Sequence, residues 1–454
     1  MKKILTIILS LIIISSCYFP NNKEEREEAA RLADEKQKDI VIVLVRTNTK
    51  DNLFLEGAQL AITELNDLGG VLTDRKIIPL IRDDVGQADV GQKIAREMAY
   101  NLDVIAVIGH RYSSVAIPAS ITYEKNGIVF ISNGSTTPTL TAHKSQYIFR
   151  NIPSDKIIGK ALAKFTKREG FKNIAVFFER GIYGQRLSGF FREEVVKKRE
   201  YKKNKKDEAV NDENKKDEAV NGENKETDND NEELKNEKLQ IVATRSYFKN
   251  EDENKKSDFR PLLEDMQDLK PDAIFLAGSV STAAEFIKQT RSMGVYAPFI
   301  GGDSLENPKL WEECSLDAAG TYVASVFNPD YDKAFVERFK EFVKKLDKSS
   351  TYEYEYEKDD YQPDAKAAQG YDAVKLLAWA IENTGSTVPI EIASTLRYMK
   401  TTWDGVVGPY QMTSTGDITN RAIHIKKLSD GKFTVEDTIE AKDLYKKDKD
   451  SELK

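Results

Sequence analysis

The chain has 454 residues, of which 40% are hydrophobic and 31% charged; 68 Lys and Arg against 75 Asp and Glu give a net charge of −7. At about 150 residues per domain, this length predicts two or three domains. A mildly acidic chain lacks the basic surface that nucleic acids require, so we expect no nucleic-acid partner. Two cysteines and three histidines leave little material for a zinc site or a disulfide scaffold, and we expect no metal and no cofactor.

The N-terminus has the regions of a signal peptide. Lys2 and Lys3 precede an apolar run over residues 4–14, which is too short to span a bilayer, and small residues follow it. The sequence ISSC at residues 14–17 resembles a bacterial lipobox. This resemblance implies removal of residues 1–16 and lipidation of Cys17, which anchors a chain to a membrane without spanning it. The alternative is an ordinary signal peptide with an incidental cysteine.

The segment that follows, residues 17–39, is mostly charged and shows no core pattern. We interpret it as a tether, extended or helical in part, that holds the folded body off the membrane. If Cys17 is lipidated, Cys314 has no partner for an intramolecular disulfide and is expected to be a buried thiol.

From residue 40 onward, apolar runs alternate with segments of helical spacing. Predicted strands cover residues 40–45, 77–81, 104–109, 128–131, 174–178, 239–244 and 273–276. Predicted helices cover residues 53–68, 94–102, 113–125, 155–169, 184–198, 258–269 and 281–293. Continuous apolar strands separated by helices indicate an α/β fold with doubly wound parallel sheets. Because the alternation restarts after Pro153, we expect two lobes rather than one large sheet.

A segment of Lys, Glu, Asp and Asn at residues 197–238 interrupts this alternation. It contains a ten-residue repeat, NKKDEAVNDE at 204–213 and NKKDEAVNGE at 214–223. With almost nothing apolar to bury, the segment is predicted to be a disordered, low-complexity insertion. It connects a helix to the next strand, at the edge of the sheet opposite to the strand-to-helix loops that bind ligands in such folds. We therefore interpret it as a tolerated surface insertion; the alternative is an interaction segment.

Polar residues follow two neighbouring predicted strands. Ser113 and Ser114 come after the strand at 104–109 and open a helix, as N-cap residues do. Gly134, Ser135 and Thr136 come after the next strand, at the same edge of the sheet. Free amide groups and the helix dipole at this edge suit a carboxylate.

A series of short motifs carries a resemblance to a known family. In chain order they occupy residues 64–71 (ELNDLGGV), 83–84, 107–110, 131–141 (ISNGSTTPTLT), 147–150, 183–184, 299–303 (FIGGD), 403–409 (WDGVVGP) and 416–417. In this order and spacing the chain resembles the Leu/Ile/Val-binding family of type I periplasmic binding proteins, the extracytoplasmic receptors of ABC importers. The resemblance covers about Ile40 to Val435, apart from the insertion.

The resemblance implies two lobes joined by three hinge crossings, which we place near Pro153, near Phe327 and within residues 409–420. We therefore predict an N-terminal lobe of residues 40–153 and 328–408, a C-terminal lobe of residues 154–327 and 409–440, and a charged tail of residues 441–454. In the family, the ligand binds between the lobes, which close on it by a hinge motion.

The resemblance also implies roles for individual residues. Positions matching Ser113, Gly134 and Thr136 bind the carboxylate and ammonium groups of an amino acid. Asp303 matches an acidic residue that pairs with the ammonium, and Tyr183 matches an aromatic residue that covers the ligand.

Three arginines near the predicted site are unusual for a site that binds an aliphatic side chain. Arg46, Arg111 and Arg180 lie beside the predicted ligand loops and are candidates for contacts with the ligand side chain. With these arginines, a polar or acidic side chain, or a ligand that is not an amino acid, is an alternative to an aliphatic amino acid.

The chain shows no motif for catalysis. Asp83 and Asp84 lack a third metal ligand in the pattern, and His110 follows a buried strand, where a structural hydrogen bond is the expected role. No nucleophile elbow, phosphate loop or His-Glu-x-x-His motif occurs, so we expect no enzyme.

Together these features predict a lipid-anchored, extracytoplasmic solute-binding protein. We expect a monomer that captures an amino acid or a similar small polar molecule and delivers it to an ABC permease. The alternative is a lipoprotein of the same fold that senses a ligand or regulates a cell-wall synthase, with no role in transport.

Overall fold

A computed structural model describes residues 21–47, 53–142, 145–196, 239–249, 256–349 and 361–445. The predicted signal peptide, Cys17 and the whole insertion at 197–238 lie outside these residues. By its internal contacts the chain divides into two compact units. Unit 1 comprises Met1–Ser135, Thr139–Ile152 and Pro329–Thr419, and unit 2 comprises Thr136–Pro138, Pro153–Asn328 and Asn420–Lys454.

Unit 1 is built on a five-stranded parallel sheet of order β2-β1-β3-β4-β5. Its strands are β1 Ile40–Arg46, β2 Ile77–Asp83, β3 Val104–Gly109, β4 Val129–Ser132 and β5 Ile148–Arg150. The continuous apolar runs of β3 and β4 are buried along their whole length, as expected for strands covered on both faces.

Seven helices and a small second sheet complete the described part of unit 1. The helices are Lys23–Glu35, Phe54–Asp67, Ala88–Tyr100, Ser113–Lys125, Lys333–Ser349, Ala365–Thr384 and Pro389–Arg397. The small antiparallel sheet contains β11 Trp403–Gly405, β12 Gly408–Met412 and β13 Ile418–Thr419.

Unit 2 contains a seven-stranded sheet of order β15-β14-β10-β9-β8-β6-β7. Its strands are β6 Asn173–Glu179, β7 Gln240–Tyr247, β8 Ala273–Ala277, β9 Phe299–Gly301, β10 Tyr322–Ser325, β14 Ile423–Ser429 and β15 Lys432–Ile439. The five strands β6 to β10 are parallel, and the hairpin β14–β15 adds two antiparallel strands at one edge. The described helices are Asp155–Arg168, 182–196, Arg260–Leu263, Met266–Leu269, Val280–Ser292, Lys309–Cys314 and Ala441–Leu444. The α/β fold class is confirmed.

The third boundary between the units differs from the prediction. Residues 409–419 were assigned to the C-terminal lobe, but they belong to unit 1. The buried guanidinium of Arg150 pairs with both carboxylate oxygens of Asp417 at 2.7 Å, and the Arg150 amide donates to the carbonyl of Gly416. These partners lie more than 260 residues apart in the chain, so no local pattern reveals them.

The interpretation of residues 17–39 as a tether is wrong for its central part. Lys23–Glu35 is a helix, and the side chain of Arg26 is fully buried against unit 1. The Arg26 guanidinium donates hydrogen bonds to five backbone carbonyls, those of Met98, Ala99, Asn101, Val104 and Asn126. Met98 and Ala99 lie in the last turn of Ala88–Tyr100, where carbonyls lack partners within the helix. Arg26 therefore caps that helix from a distant part of the chain.

The other end of the docked helix is held by Asp34. Its carboxylate accepts hydrogen bonds from Arg75, at 2.6 Å, and from Ser386 and Thr387. Burial would raise the pKa of Asp34, but the hydrogen bonds from Thr387 and Arg75 outweigh it and hold the pKa below its ordinary value. The charged segment thus forms part of the fold of unit 1.

The lowered pKa of Asp34 predicts that its contacts with Arg75 and Thr387 weaken in acid. Because the pKa of Asp34 is lower in the folded than in the unfolded protein, its stabilising effect is present above the unfolded value of about 3.9 and is lost as pH falls through the folded value. Between about pH 5 and pH 3, we expect the melting temperature of Asp34→Asn to decrease less than that of the wild type. Parallel curves for the two proteins would contradict this assignment.

The predicted charged tail also begins later than expected. Ala441–Leu444 is helical, Leu444 is buried, and the Lys160 ammonium donates to the carbonyl of Leu444 at 2.7 Å. The chain therefore remains packed on unit 2 to the end of the described residues.

Candidate functional site

In unit 1, the predicted ligand residues lie at the carboxyl ends of β3 and β4. The helix Ser113–Lys125 starts here, but Tyr112 occupies the N-cap position and makes no capping hydrogen bond through its side chain. The prediction that Ser113 and Ser114 act as N-cap residues is therefore wrong, since they are the first two helical residues. The first N–H groups of a helix have no intrahelical partner, so this uncapped terminus is suited to an anion.

The loop after β4 packs closely against the start of that helix. The Ser135 hydroxyl donates to the Ser113 hydroxyl at 3.1 Å, and the Ser135 amide donates to the hydroxyl of Ser132 at 3.1 Å. A Cβ atom at Gly134 would lie 2.8 Å from the backbone of Arg111. Only glycine fits this approach, so Gly134 keeps the two loops together.

In unit 2, Tyr183 and Asp303 are brought together. Tyr183 lies near the start of the helix 182–196 after β6, and Asp303 follows β9. The Tyr183 hydroxyl donates to Asp303 Oδ1 at 3.2 Å, and Asp303 is only 7% exposed. Burial, and next the charge of Asp303, raise the pKa of Tyr183 well above its ordinary value, so its hydroxyl stays a neutral donor. A Cβ atom at Gly302 would lie 2.2 Å from that hydroxyl oxygen, which explains the glycine.

Thr136 belongs to unit 2, where its carbonyl accepts a hydrogen bond from the amide of Asp155 at 2.7 Å. Its hydroxyl is buried and has no hydrogen-bond partner among the described residues. An unsatisfied buried hydroxyl costs about 1–3 kcal/mol, which a ligand could offset.

The three candidate arginines are each engaged within their own unit. The Arg46 guanidinium pairs with Asp83 at 3.1 Å, and that of Arg180 donates to Ser246 at 2.8 Å. The Arg111 guanidinium lies 5.5 Å from the centre of the Tyr112 ring. Their predicted contacts with a ligand side chain stay a prediction.

Sequence reasoning missed a polar cluster beside Tyr183 and Asp303. Glu179 Oε2 accepts hydrogen bonds from the amide and the hydroxyl of Ser279, at 3.1 and 2.8 Å. The Ser304 hydroxyl donates to the carbonyl of Gly278 at 2.7 Å, and Tyr247 buries its hydroxyl nearby. Glu179 ends β6 and Ser279 closely follows β8, so the strand-end rule that selected Ser113 and Gly134 could also have found them.

His110 has the structural role that was predicted. Its ring contacts Asp84 Oδ2 through Nδ1 at 2.9 Å and the Tyr123 hydroxyl through Nε2 at 2.8 Å, with all three side chains buried. Asp84 also accepts a hydrogen bond from Thr47. Within the described ranges, no group of three or more His, Cys, Asp or Glu side chains is arranged to bind a metal ion.

A profile of the periplasmic binding protein family matches residues 50–198 and 233–432, which is most of the chain. The chain belongs to the periplasmic binding protein family. The match omits residues 199–232, which lie inside the predicted insertion. Family membership supports an extracytoplasmic location, and the order of the matched ranges agrees with the motif series in the sequence.

Two relatives are named as amino-acid-binding proteins. The chain is 28% identical over 369 residues to "Leu/Ile/Val-binding protein homolog 1" of Brucella abortus, covering 80% of this chain and 81% of the relative. It is 26% identical to "Leucine-specific-binding protein" of Salmonella typhimurium, covering 81% and 83%. Among solved structures, an ABC transporter substrate-binding protein from Desulfitobacterium hafniense in complex with Leu matches with 29% identity and a TM-score of 0.66, covering 88% of this chain and all of that one. These periplasmic binding proteins are named for binding, not for catalysis.

Proposed function

We propose that this protein is a lipid-anchored receptor that binds an α-amino acid and delivers it to an ABC permease. The observation that carries this proposal is a complementary pair of charges at strand ends. Unit 1 presents an uncapped helix N-terminus at Ser113, and unit 2 presents the buried carboxylate of Asp303. An amino acid carries the matching pair, a carboxylate and an ammonium group.

The ligand carboxylate is assigned to the residues of the loop after β4 and the helix start. The hydroxyls of Ser113 and Ser135 and the backbone around Gly134 offer hydrogen-bond donors beside the positive end of a helix dipole. The buried Thr136 hydroxyl supplies a further group that a ligand would satisfy. Ser114 is exposed at the same terminus.

The ligand ammonium is assigned to Asp303. A carboxylate that is 7% exposed gains most from a cation, because the low dielectric around it strengthens their attraction. Tyr183 donates to one oxygen of this carboxylate and so fixes its orientation. Tyr183 also offers its ring as an apolar cover.

Branched-chain amino acids are the first candidates for the side chain. The Desulfitobacterium hafniense protein, which is 29% identical, was solved with Leu. The positive charge of Arg46 is paired with Asp83, so this arginine adds little net charge for an acidic side chain. Arg111 and Arg180 remain the candidates for contact with a polar side chain.

The anchor is assigned to Cys17, after removal of residues 1–16. The ISSC sequence at 14–17 supports this assignment. The lipid would hold a monomeric receptor near its permease. A protein that senses a ligand without transporting it would have the same site. Transport is therefore tested by comparing ligand uptake in cells with and without this protein, and the proposal expects uptake to fall when the protein is absent.

A thermal-shift screen of amino acids, their amides and small organic acids tests the binding proposal. A true ligand at a hundredfold excess over its Kd is expected to stabilise the folded protein by about 2.7 kcal/mol. We expect leucine, isoleucine or valine to raise the melting temperature. If no amino acid does so, the proposed function is wrong.

A further inference from the structure

The docked helix fixes where the N-terminal segment enters unit 1. The Asn22 amide donates to Asn126 Oδ1 and its side chain donates to the carbonyl of Ala99, both at 3.0 Å. The Lys23 ammonium donates to Gln146 Oε1 at 3.0 Å. These partners lie in the connections that lead into β3, β4 and β5, so the helix begins at the amino ends of these strands.

This edge is opposite to the candidate ligand residues of unit 1. All five strands of the sheet are parallel, and Ser113 and Gly134 follow the carboxyl ends of β3 and β4. The six residues of β3, at about 3.3 Å each, separate the two edges by roughly 20 Å. We call these the amino edge and the ligand edge of unit 1.

Docking also shortens the connection to the anchor. As a free tether, residues 17–39 would place 23 Cα-to-Cα steps between Cys17 and Ile40, a span of up to about 80 Å. With Asn22 bound, five such steps separate it from Cys17, which reach at most about 18 Å. An anchor at Cys17 therefore holds the amino edge close to the lipid surface.

We propose that the amino edge of unit 1 faces the bilayer and that the ligand edge of this unit is turned away from it. The proposal rests on the anchor at Cys17 within the proposed function. The partner of the amino edge is a lipid surface. Transfer of ligand into a permease would then require unit 1 to tilt about its short attachment.

The most exposed large apolar side chains of unit 1 lie near this edge. Among the described large hydrophobic residues of unit 1, four are at least 60% exposed: Leu68, Tyr100, Ile121 and Tyr398. Leu68, Tyr100 and Ile121 lie at or within about a turn of the ends of helices that lead into β2, β3 and β4. Tyr398 follows Arg397, whose guanidinium donates to the carbonyl of Gln146 just before β5. Aromatic residues of this kind are favoured at the interface of a bilayer with water.

Acidic residues on the outer face of the helix Lys23–Glu35 favour neutral over anionic lipids. Glu24, Glu25 and Glu28 are exposed next to the point where the chain leaves for Cys17. Like charges repel, so neutral lipid headgroups should allow closer approach than anionic ones, most clearly at low salt.

Fluorescence quenching on vesicles tests this orientation. Cys314 is buried and burial raises the pKa of its thiol to about 12, so a maleimide dye should react selectively with an introduced cysteine. The exposed residues Lys125, at the amino edge, and Gln87, at the ligand edge, are replaced singly as Lys125→Cys and Gln87→Cys in the full lipidated chain. With a headgroup quencher in phosphatidylcholine vesicles, we expect at least twofold stronger quenching for Lys125→Cys. Added phosphatidylglycerol should lower its quenching at low salt.

A spacer variant provides the control without touching the folded part. Inserting about twenty Gly and Ser residues after Tyr18 adds a flexible span of about 25 Å and should bring the two quenching values together. Equal or reversed quenching in the original chain, with the protein bound to the vesicles, would overturn the orientation alone. Protein that does not bind the vesicles would overturn both the anchor and the orientation, while ligand binding in the thermal-shift screen would stand.

Discussion

Replacing Asp303 with alanine is expected to weaken amino-acid binding by roughly 30- to 5,000-fold, because removing one partner of a buried charge pair costs about 2–5 kcal/mol. The carboxylate is 7% exposed and is oriented by the Tyr183 hydroxyl at 3.2 Å. Without it, the ligand ammonium would lose its counter-charge in a site shielded from water. Isothermal titration with the best ligand of the thermal-shift screen measures the loss.

Two further variants separate binding from folding. Asp303→Asn keeps the shape and the hydrogen bond from Tyr183 but removes the charge, so it should lose most of the affinity while melting near the wild-type temperature. Asp268→Asn removes a charge from an exposed position of unit 2 and should leave the Kd unchanged. Wild-type affinity in Asp303→Asn would show that the ammonium binds elsewhere.

The largest effect on stability is expected for Arg26→Ala. This variant leaves five carbonyls around the amino edge without the guanidinium that now bonds them. Breaking a buried charged network of this kind costs about 3–5 kcal/mol of unfolding free energy. Urea denaturation monitored by circular dichroism measures the change.

Arg31 offers a matched control on the same helix. Its side chain is half exposed and pairs with Glu27 and Glu28 on the same helix, at 3.9 and 3.8 Å. Surface pairs of this kind contribute about 0–1 kcal/mol, so Arg31→Ala should be nearly neutral. Equal losses in Arg26→Ala and Arg31→Ala would mean that helix content, rather than the buried guanidinium, accounts for the effect.

Regular elements of both units could be predicted from apolar patterning. The strand predicted at 104–109 and the helix predicted at 113–125 have the same bounds in the structure. Such segments combine a continuous apolar run with a clear change of period, and their burial follows from the parallel sheet. The strand-end rule then selects Ser113 and Gly134, whereas Asp303 is implied by the family resemblance; in the structure all three follow the carboxyl ends of strands.

Long-range polar contacts could not be predicted in the same way. Arg26 occurs in a run of charged residues that is typical of a solvated segment, and its carbonyl partners lie 72 to 100 residues away. Every residue has a backbone carbonyl, so the sequence does not show which carbonyls accept these hydrogen bonds. The ion pair of Arg150 with Asp417, which lies 267 residues away, could not be predicted either, and the predicted domain boundary at residue 409 was therefore wrong. The N-cap is Tyr112, one residue before the predicted Ser113, because Tyr112 is the residue that keeps an extended backbone at the helix start.

The central claim is that one ligand supplies both a carboxylate and an ammonium group to this protein. Isothermal titration with the best amino acid and two truncated analogues, the amine without the carboxylate and the acid without the ammonium, tests it most directly. We predict that each analogue binds at least about 30-fold more weakly than the amino acid, since each lacks one of the two charged groups that the proposed site recognises. An analogue that binds as tightly as the amino acid would contradict the assignment of that end of the site.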